Sequence, residues 1–250
     1  MFKELPHPIV FAHRGASAHA PENTLAAFEL AVEQGADGVE LDVKLSADGQ
    51  VVVIHDATVE RTTGARGRVK DMTLDELRSL DAGSFFSDKF KGEKIPTLAE
   101  VFEAVGRRTF VNVELTNYNT RRDHLVESAC ILVKKFGMQK RVLFSSFLPS
   151  NLSNARRYLP EVPTGLLALN GLLGAWARSF GFAFGKHEAL HPHLRDATQQ
   201  LIYFVHRLKK RVHVWTVNDA ADMRRLFKWG VDAIFTDDPQ LAVGVRGEKG

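Results

Sequence analysis

The chain has 250 residues, 44% of them hydrophobic and 25% charged, a make-up that excludes disorder and gives a core large enough to stand without staples. Its 33 Lys and Arg against 30 Asp and Glu leave +3, spread without a basic block, which argues against nucleic acid as a partner. One cysteine excludes an internal disulfide, and Cys130, inside the apolar run SACILVKKF, reads as a buried structural thiol.

The opening MFKELPHPIVFAHRG lacks the apolar core and small-residue cleavage site of a secretory signal, so a cytoplasmic location is expected. From there, short β-branched or apolar runs alternate with longer stretches of helical period, the pattern of repeated βα units around a parallel sheet. The predicted strands are Pro8–Ala12, Gly38–Val43, Thr109–Leu115, Arg141–Ser146, Thr164–Leu167, Ala189–His191, Val212–Val217 and Ala233–Thr236. Helices are predicted over Glu22–Gln34, Leu98–Arg107, Arg121–Phe136, Pro149–Tyr158, Leu194–Lys209 and Ala220–Trp229. Thr97 and Glu100 have the spacing of a capping box, and Asn218-Asp219 precede another helical run. Together they predict one domain over 1–250, a (β/α)₈ TIM barrel.

Two segments break the rhythm. After the second strand, Gln50–His55 reads as an extra buried strand, and residues 57–96, rich in Gly, Asp, Arg and Lys, read as a small insertion at the barrel mouth. The stretch 166–185 carries only Arg178 as a charge, but Asn170, Ser179 and four glycines dilute it. A core-packing helix is the expectation there, ahead of a lid-like helix touching an interface, and no transmembrane segment is expected.

Polar residues at strand C-terminal ends carry the chemistry, because barrel active sites assemble there. The first strand ends in His13-Arg14-Gly15, the second in Glu40-Leu41-Asp42, the extra strand in His55-Asp56 and the third in Glu114. Side chains alternate along a strand, so Glu40 and Asp42 share a face, and Phe110, Asn112 and Glu114 point inward while Val111, Val113 and Leu115 point outward. Three convergent carboxylates repel one another unless a cation compensates, and hard oxygen ligands of this kind suit one Mg²⁺ or Ca²⁺. His13 and His55 supply groups that exchange protons near neutral pH. Arg14 offers a planar fork for phosphate oxygens, and Gly15 permits a sharp turn behind it. Asp56 either orients an imidazole or caps a turn. Trp215 either walls the pocket or fills the barrel, and His213 reads as an interior residue. Helix capping accounts for Glu22, for Asn23, which is also placed to hold the His13 loop, and for Asp237 and Asp238 before Pro239.

The stretch from Ala12 to Gly67 closely resembles the signature region of the glycerophosphodiester phosphodiesterases, with HRG, PENT, E-x-D, HD and RTT in the family's order and spacing. Looser similarity continues through IPTLAEVF, VNVEL, SSF, WTVND and GVDAIFTDDP and is weakest at 163–195. The resemblance implies a barrel enzyme that uses a divalent metal to hydrolyse glycerophosphodiester substrates to glycerol 3-phosphate and an alcohol. It implies metal binding by Glu40, Asp42 and Glu114, acid–base roles for His13 and His55, and phosphate contact by Arg14. One position departs: the family's lysine two residues after the third acid is Thr116 here. Lys44, on the same predicted face as Asp42, or Arg121 or Arg122, would have to supply that charge. The alternatives are a lysophospholipase D-like enzyme whose 166–185 segment receives an acyl chain, and a barrel that binds phosphate without cleaving it. A binuclear zinc site is disfavoured by the lack of H-x-H at a strand end.

Overall fold

The computed structural model describes residues 7–121 and 123–248. Among these residues nine strands form the sheet: β1 (Ile9–Ala12), β2 (Gly38–Leu45), β3 (Val51–Val53), β4 (Phe110–Leu115), β5 (Val142–Ser146), β6 (Thr164–Ala168), β7 (Ala189–Pro192), β8 (Arg211–Val214) and β9 (Ala233–Thr236). Every strand but β3 pairs in parallel, and β1 joins both β2 and β9, so eight strands close into a TIM barrel. The ninth, β3, lies antiparallel on β2. The extra strand is therefore real but shorter than Gln50–His55, and its end frees His55 from the ladder.

Among the described residues ten α-helices surround the strands: α1 (Leu25–Glu33), α2 (Glu60–Thr63), α3 (Leu74–Ser79), α4 (Leu98–Ala104), α5 (Leu125–Lys135), α6 (Pro149–Tyr158), α7 (Phe180–Ala183), α8 (Gln199–Arg207), α9 (Ala220–Lys228) and α10 (Pro239–Gly247). Their apolar faces and the outward residues of the strands, Val111, Val113 and Leu115 among them, make one continuous core between barrel and helices. The barrel lumen is closed below the C-terminal ends of the strands by Ile9, Phe11, Leu143, Ala233 and Phe235, against which Phe110 packs. A third apolar cluster, joining Val52 and Ile54 to Val59, Val69, Leu77, Ala82 and Ile95, roots the 57–96 insertion on β3.

The helix starts show how local hydrogen bonding moves boundaries. Thr24, not Glu22 or Asn23, accepts the α1 amide of Ala27, so the helix begins later than its apolar period suggests. Thr97 and Glu100 form the expected capping box, and Asp219 caps α9. Asp123, bonded to the amide of Leu125, marks the start of α5 rather than Arg121. The run Leu194–Lys209 is split, because Thr198 caps a fresh helix after a short 3₁₀ turn at Leu194–Asp196.

The 166–185 segment corrects the expectation of a core-packing helix. Its first residues finish β6, a 3₁₀ turn follows at Gly171–Gly174, and only α7 is helical. Glycines at 171, 174, 181 and 185 explain the shortness, since each weakens a helix by about 1 kcal/mol relative to alanine. Among the described residues no helix is long and apolar enough to cross a membrane.

Glycine at 165 is required by close approach, because a methyl there would overlap the imidazole of His191, fully buried on β7. Gly165→Ala is therefore expected to lose about 1–3 kcal/mol of stability, to be read as a lower midpoint in urea unfolding.

Candidate active site

The C-terminal ends of the strands enclose a cavity of about 180 Å³ lined by His13, Arg14, Glu40, Asp42, His55 and Glu114, with Asn112, Ser145 and His191 among its deeper walls. Parallel pairing of β2 with β4 sets Asp42 opposite Glu114 and Glu40 opposite Asn112, all on the inward face. One oxygen from each of Glu40, Asp42 and Glu114 lies within 4.8 Å of the others.

Burial first, then the charge of Asp42 and Glu114, pushes the Glu40 carboxyl well above its usual range. Glu114 is raised to about 8 by burial and by Asp42, although the Tyr118 hydroxyl donates to it at 2.7 Å. Burial would raise Asp42 too, but Arg14, His55, Asn23 and His13 hold it below its usual range. A compact all-oxygen donor set whose own members resist full ionisation fits a hard divalent cation.

The loop after β1 is held in an uncommon shape. Arg14 has φ +58° and Gly15 φ +85°. A side chain at Gly15 would also sit 2.6 Å from the Ala27 methyl, so only glycine fits. The Arg14 amide donates to Glu40 at 2.9 Å, the Asn23 amide to the Arg14 carbonyl at 2.9 Å, and the Asn23 side chain to Asp42 at 3.0 Å. Asn23 thus holds the His13 loop onto the carboxylates instead of capping α1. The Arg14 guanidinium meets Glu22 at 2.9 Å and Asp42 at 3.4 Å.

Both histidines present Nδ1 to a carboxylate, which leaves Nε2 for proton exchange. His13 pairs with Asp237 at 2.7 Å, and His55 with Asp56 at 2.6 Å. Asp56 therefore orients an imidazole. Burial would raise its pKa, but Arg61 and His55 bring it down to about 2. Arg61 also donates to both oxygens of Glu22, at 2.6 and 2.8 Å. Glu22 thus bridges Arg61 and Arg14, a role that sequence reading assigned to capping. Asp237 is likewise corrected: it holds His13 and accepts from Ser17 and Asn218, whereas Asp238 alone caps α10.

A model of the glycerophosphoryl diester phosphodiesterase family matches residues 13–241. The chain belongs to that family. A glycerophosphodiester phosphodiesterase of Caldanaerobacter subterraneus subsp. tengcongensis is 42% identical over 97% of this chain and 99% of its own length. One from Bacillus subtilis is 31% identical over 93% of this chain and 84% of its own. Among solved structures, an Oleispira antarctica phosphodiesterase in complex with the product sn-glycerol-3-phosphate superposes with a TM-score of 0.88, at 34% identity, covering 95% of this chain and 96% of that one. The enzyme class anticipated from the sequence, a phosphoric diester hydrolase, is that of the family.

Where this phosphodiesterase departs from the family's lysine, Thr116 is buried and its hydroxyl donates to the Val43 carbonyl at 2.8 Å. Lys44 donates to that same hydroxyl at 2.7 Å and to the Thr116 carbonyl at 3.2 Å. Burial lowers the Lys44 pKa, with Asp42, Glu114 and Asp56 acting in the opposite sense. Lys44 is not part of the cavity wall. Arg121 bonds the Tyr118 carbonyl and is absent from that wall too, and Arg122 lies outside the described residues. Trp215 does line the cavity, steadied by its bond to the His191 carbonyl at 2.8 Å and by edge contacts with Phe147 and His193. His213 is buried in the barrel interior beside His191.

The raised carboxyl of Glu114 has a consequence for stability. With metal removed, the unfolded chain releases this proton near its ordinary value of 4.5, while the folded chain keeps it to about 8. The native state then binds more protons, and the contribution of Glu114 to stability falls as pH rises between those values. Urea midpoints in chelator at pH 5 and pH 8 should show wild type losing ground to Glu114→Gln across that interval.

Proposed function

We propose that this phosphodiesterase hydrolyses glycerophosphodiesters to glycerol 3-phosphate and an alcohol, using one divalent cation, Mg²⁺ or Ca²⁺, and the pair His13 and His55. The observation that carries the reading is two imidazoles, each fixed through Nδ1 by its own carboxylate, facing one cavity with three clustered carboxylates. The product in the Oleispira structure supports the substrate class.

Glu40, Asp42 and Glu114 would hold the cation, which when bound offsets charge on phosphoryl oxygens and orients a hydroxyl. Arg14, already locked by Glu22 and Asp42, directs its remaining N–H groups at a phosphate oxygen. One imidazole takes the proton of the glycerol hydroxyl next to the phosphate, whose oxygen attacks phosphorus. The other gives a proton to the departing alcohol oxygen as the P–O bond breaks, leaving a cyclic phosphate. Water then opens the ring with the two roles exchanged. Trp215, Phe147 and Leu167 give the substrate's carbon skeleton an apolar wall.

A coupled assay for glycerol 3-phosphate over a panel of diesters, with Mg²⁺, Ca²⁺ or chelator, tests this. Release should require the cation and fall about 10²–10⁴-fold in His13→Ala and in His55→Ala. No release with any divalent metal would return the chain to a binding role. Cleavage of lysophosphatidylcholine without glycerophosphocholine would select the lysophospholipase D reading, which the exposed apolar loop after β6 favours.

We assign the charge missing at Thr116 to Lys44. Because Lys44 lies behind the cavity wall and acts on Asp42 and Glu114 through its charge, Lys44→Met is expected to lower kcat/KM about tenfold. Lys44→Met with Thr116→Lys should recover part of that loss, and a fully active Lys44→Met would refute the assignment.

A further inference from the structure

The loop between β6 and β7 exposes large apolar side chains at the mouth of the barrel. Leu172 is 94% exposed, Leu173 83%, Phe184 84% and Trp176 59%. This is not slack chain. Arg178 donates to the carbonyls of Leu169 and Gly171 and pairs with Asp196 at 3.1 Å, and Asp196 also accepts the Gly171 amide at 3.0 Å. Beneath, Phe182 is fully buried, and Lys210 ties the carbonyls of Phe182 and Gly185 to the body of the barrel. Gly181 lies flat on the Trp176 indole, where a methyl would approach to 2.6 Å. The apolar groups are therefore held outward by a built scaffold, against the cost of leaving them in water.

The charge around them is mostly positive. No acid occurs between Glu161 and Glu188. Trp176 and Phe184 share a groove with Arg156, Arg157 and Lys186, and a neighbouring hollow adds Lys209, Lys210 and Arg211. Of the nearby acids, Glu161 lines the second hollow, Glu188 is bound to Arg156 and Asp196 to Arg178.

We propose that this loop docks the enzyme on the anionic surface of a phospholipid bilayer, with Leu172, Leu173, Trp176 and Phe184 entering the acyl boundary and Arg157 and Lys186, which share the groove of Trp176 and Phe184, meeting headgroup phosphates. Apolar anchors ringed by cations are the combination such a surface binds. A second copy of the chain is the poorer occupant, because a two-fold contact would set the same cations against each other. Arg157 is in the last turn of α6 and Lys186 precedes β7, both toward the end of the barrel away from the cavity, so the groove runs along the flank of the barrel. The inference does not depend on which diester the site cleaves.

Sedimentation of the full chain with vesicles tests it, using phosphatidylcholine alone and phosphatidylcholine mixed with phosphatidylglycerol. The wild type should pellet with the mixed vesicles, far less with the neutral ones, and release at high salt. Leu172→Asp/Leu173→Asp should cut the partition coefficient more than tenfold while keeping the wild-type unfolding midpoint, and Lys186→Gln should cut it about fivefold. Pelleting that is absent, or unchanged in the double variant, overturns the proposal. So does sedimentation equilibrium showing a dimer that the double variant dissociates, which would give the patch to a second copy.

Discussion

Three carboxyl groups held within 4.8 Å of one another, at the paired ends of β2 and β4, set the conditions for everything around them. The barrel enforces their meeting, since parallel register fixes which residues stand side by side and the pleat fixes which face they share. Left alone, such a cluster resolves its repulsion by holding protons, which is what the raised Glu40 and Glu114 carboxyls do. Asp42 alone stays readily ionised, because Arg14 and Asn23 both reach it. The left-handed Arg14 backbone is a product of the same demand. It turns the amide onto Glu40 while the guanidinium returns to Asp42. A strained residue persists where its surroundings over-determine it, and here both partners are members of the cluster.

From that centre a chain of paired charges runs outward: Asp42 to Arg14, Arg14 to Glu22, Glu22 to Arg61, Arg61 to Asp56, and Asp56 to His55. It explains why the insertion is more than decoration. Its small apolar cluster fixes α2 on β3, α2 carries Arg61, and Arg61 holds both the carboxylate that orients His55 and the one that braces Arg14. His13 is fixed from the opposite end of the sequence, by Asp237 after β9. Closure of the barrel between β1 and β9 brings these two residues, 224 positions apart, into contact.

That separation also marks the limit of what the chain discloses as text. Alternation along β2 and β4 was enough to converge Glu40, Asp42 and Glu114, and strand ends were enough to gather His13 and His55 beside them, because those inferences need only period and fold class. Asp237, Glu22 and Arg61 escaped. Asp237 sits before a capping aspartate and a proline, and Glu22 just ahead of a helix, where a local role is sufficient. Only the closed barrel shows that Thr24 and Asp238 do the capping and release their neighbours for the site. The signal available was the resemblance itself, in which the Glu of PENT and the Arg of RTT recur beside HRG and HD. The 166–185 loop failed differently. Its apolar content implied burial, yet four glycines prevented the long helix that would have buried it, and the hydrophobic side chains were left facing outward.

The contact between Lys44 and Thr116, on which the proposed role of Lys44 rests, is a product of strand register. Val43 stands opposite Leu115 in the β2–β4 ladder, so Lys44 and Thr116 fall side by side one step further on. A cation on either strand arrives at the same end of the same pair, and the threonine offers its hydroxyl and carbonyl as the seat for the lysine across from it. On the proposed reading the carboxylate cluster constrains the location of positive charge, and parallel register gives two residues access to that location. Exchange between them preserves the field only if the position that loses its charge can still accept a hydrogen bond from the one that gains it. Threonine meets that condition, whereas an apolar residue would leave the Lys44 ammonium only the backbone carbonyl of position 116 to donate to within this pair.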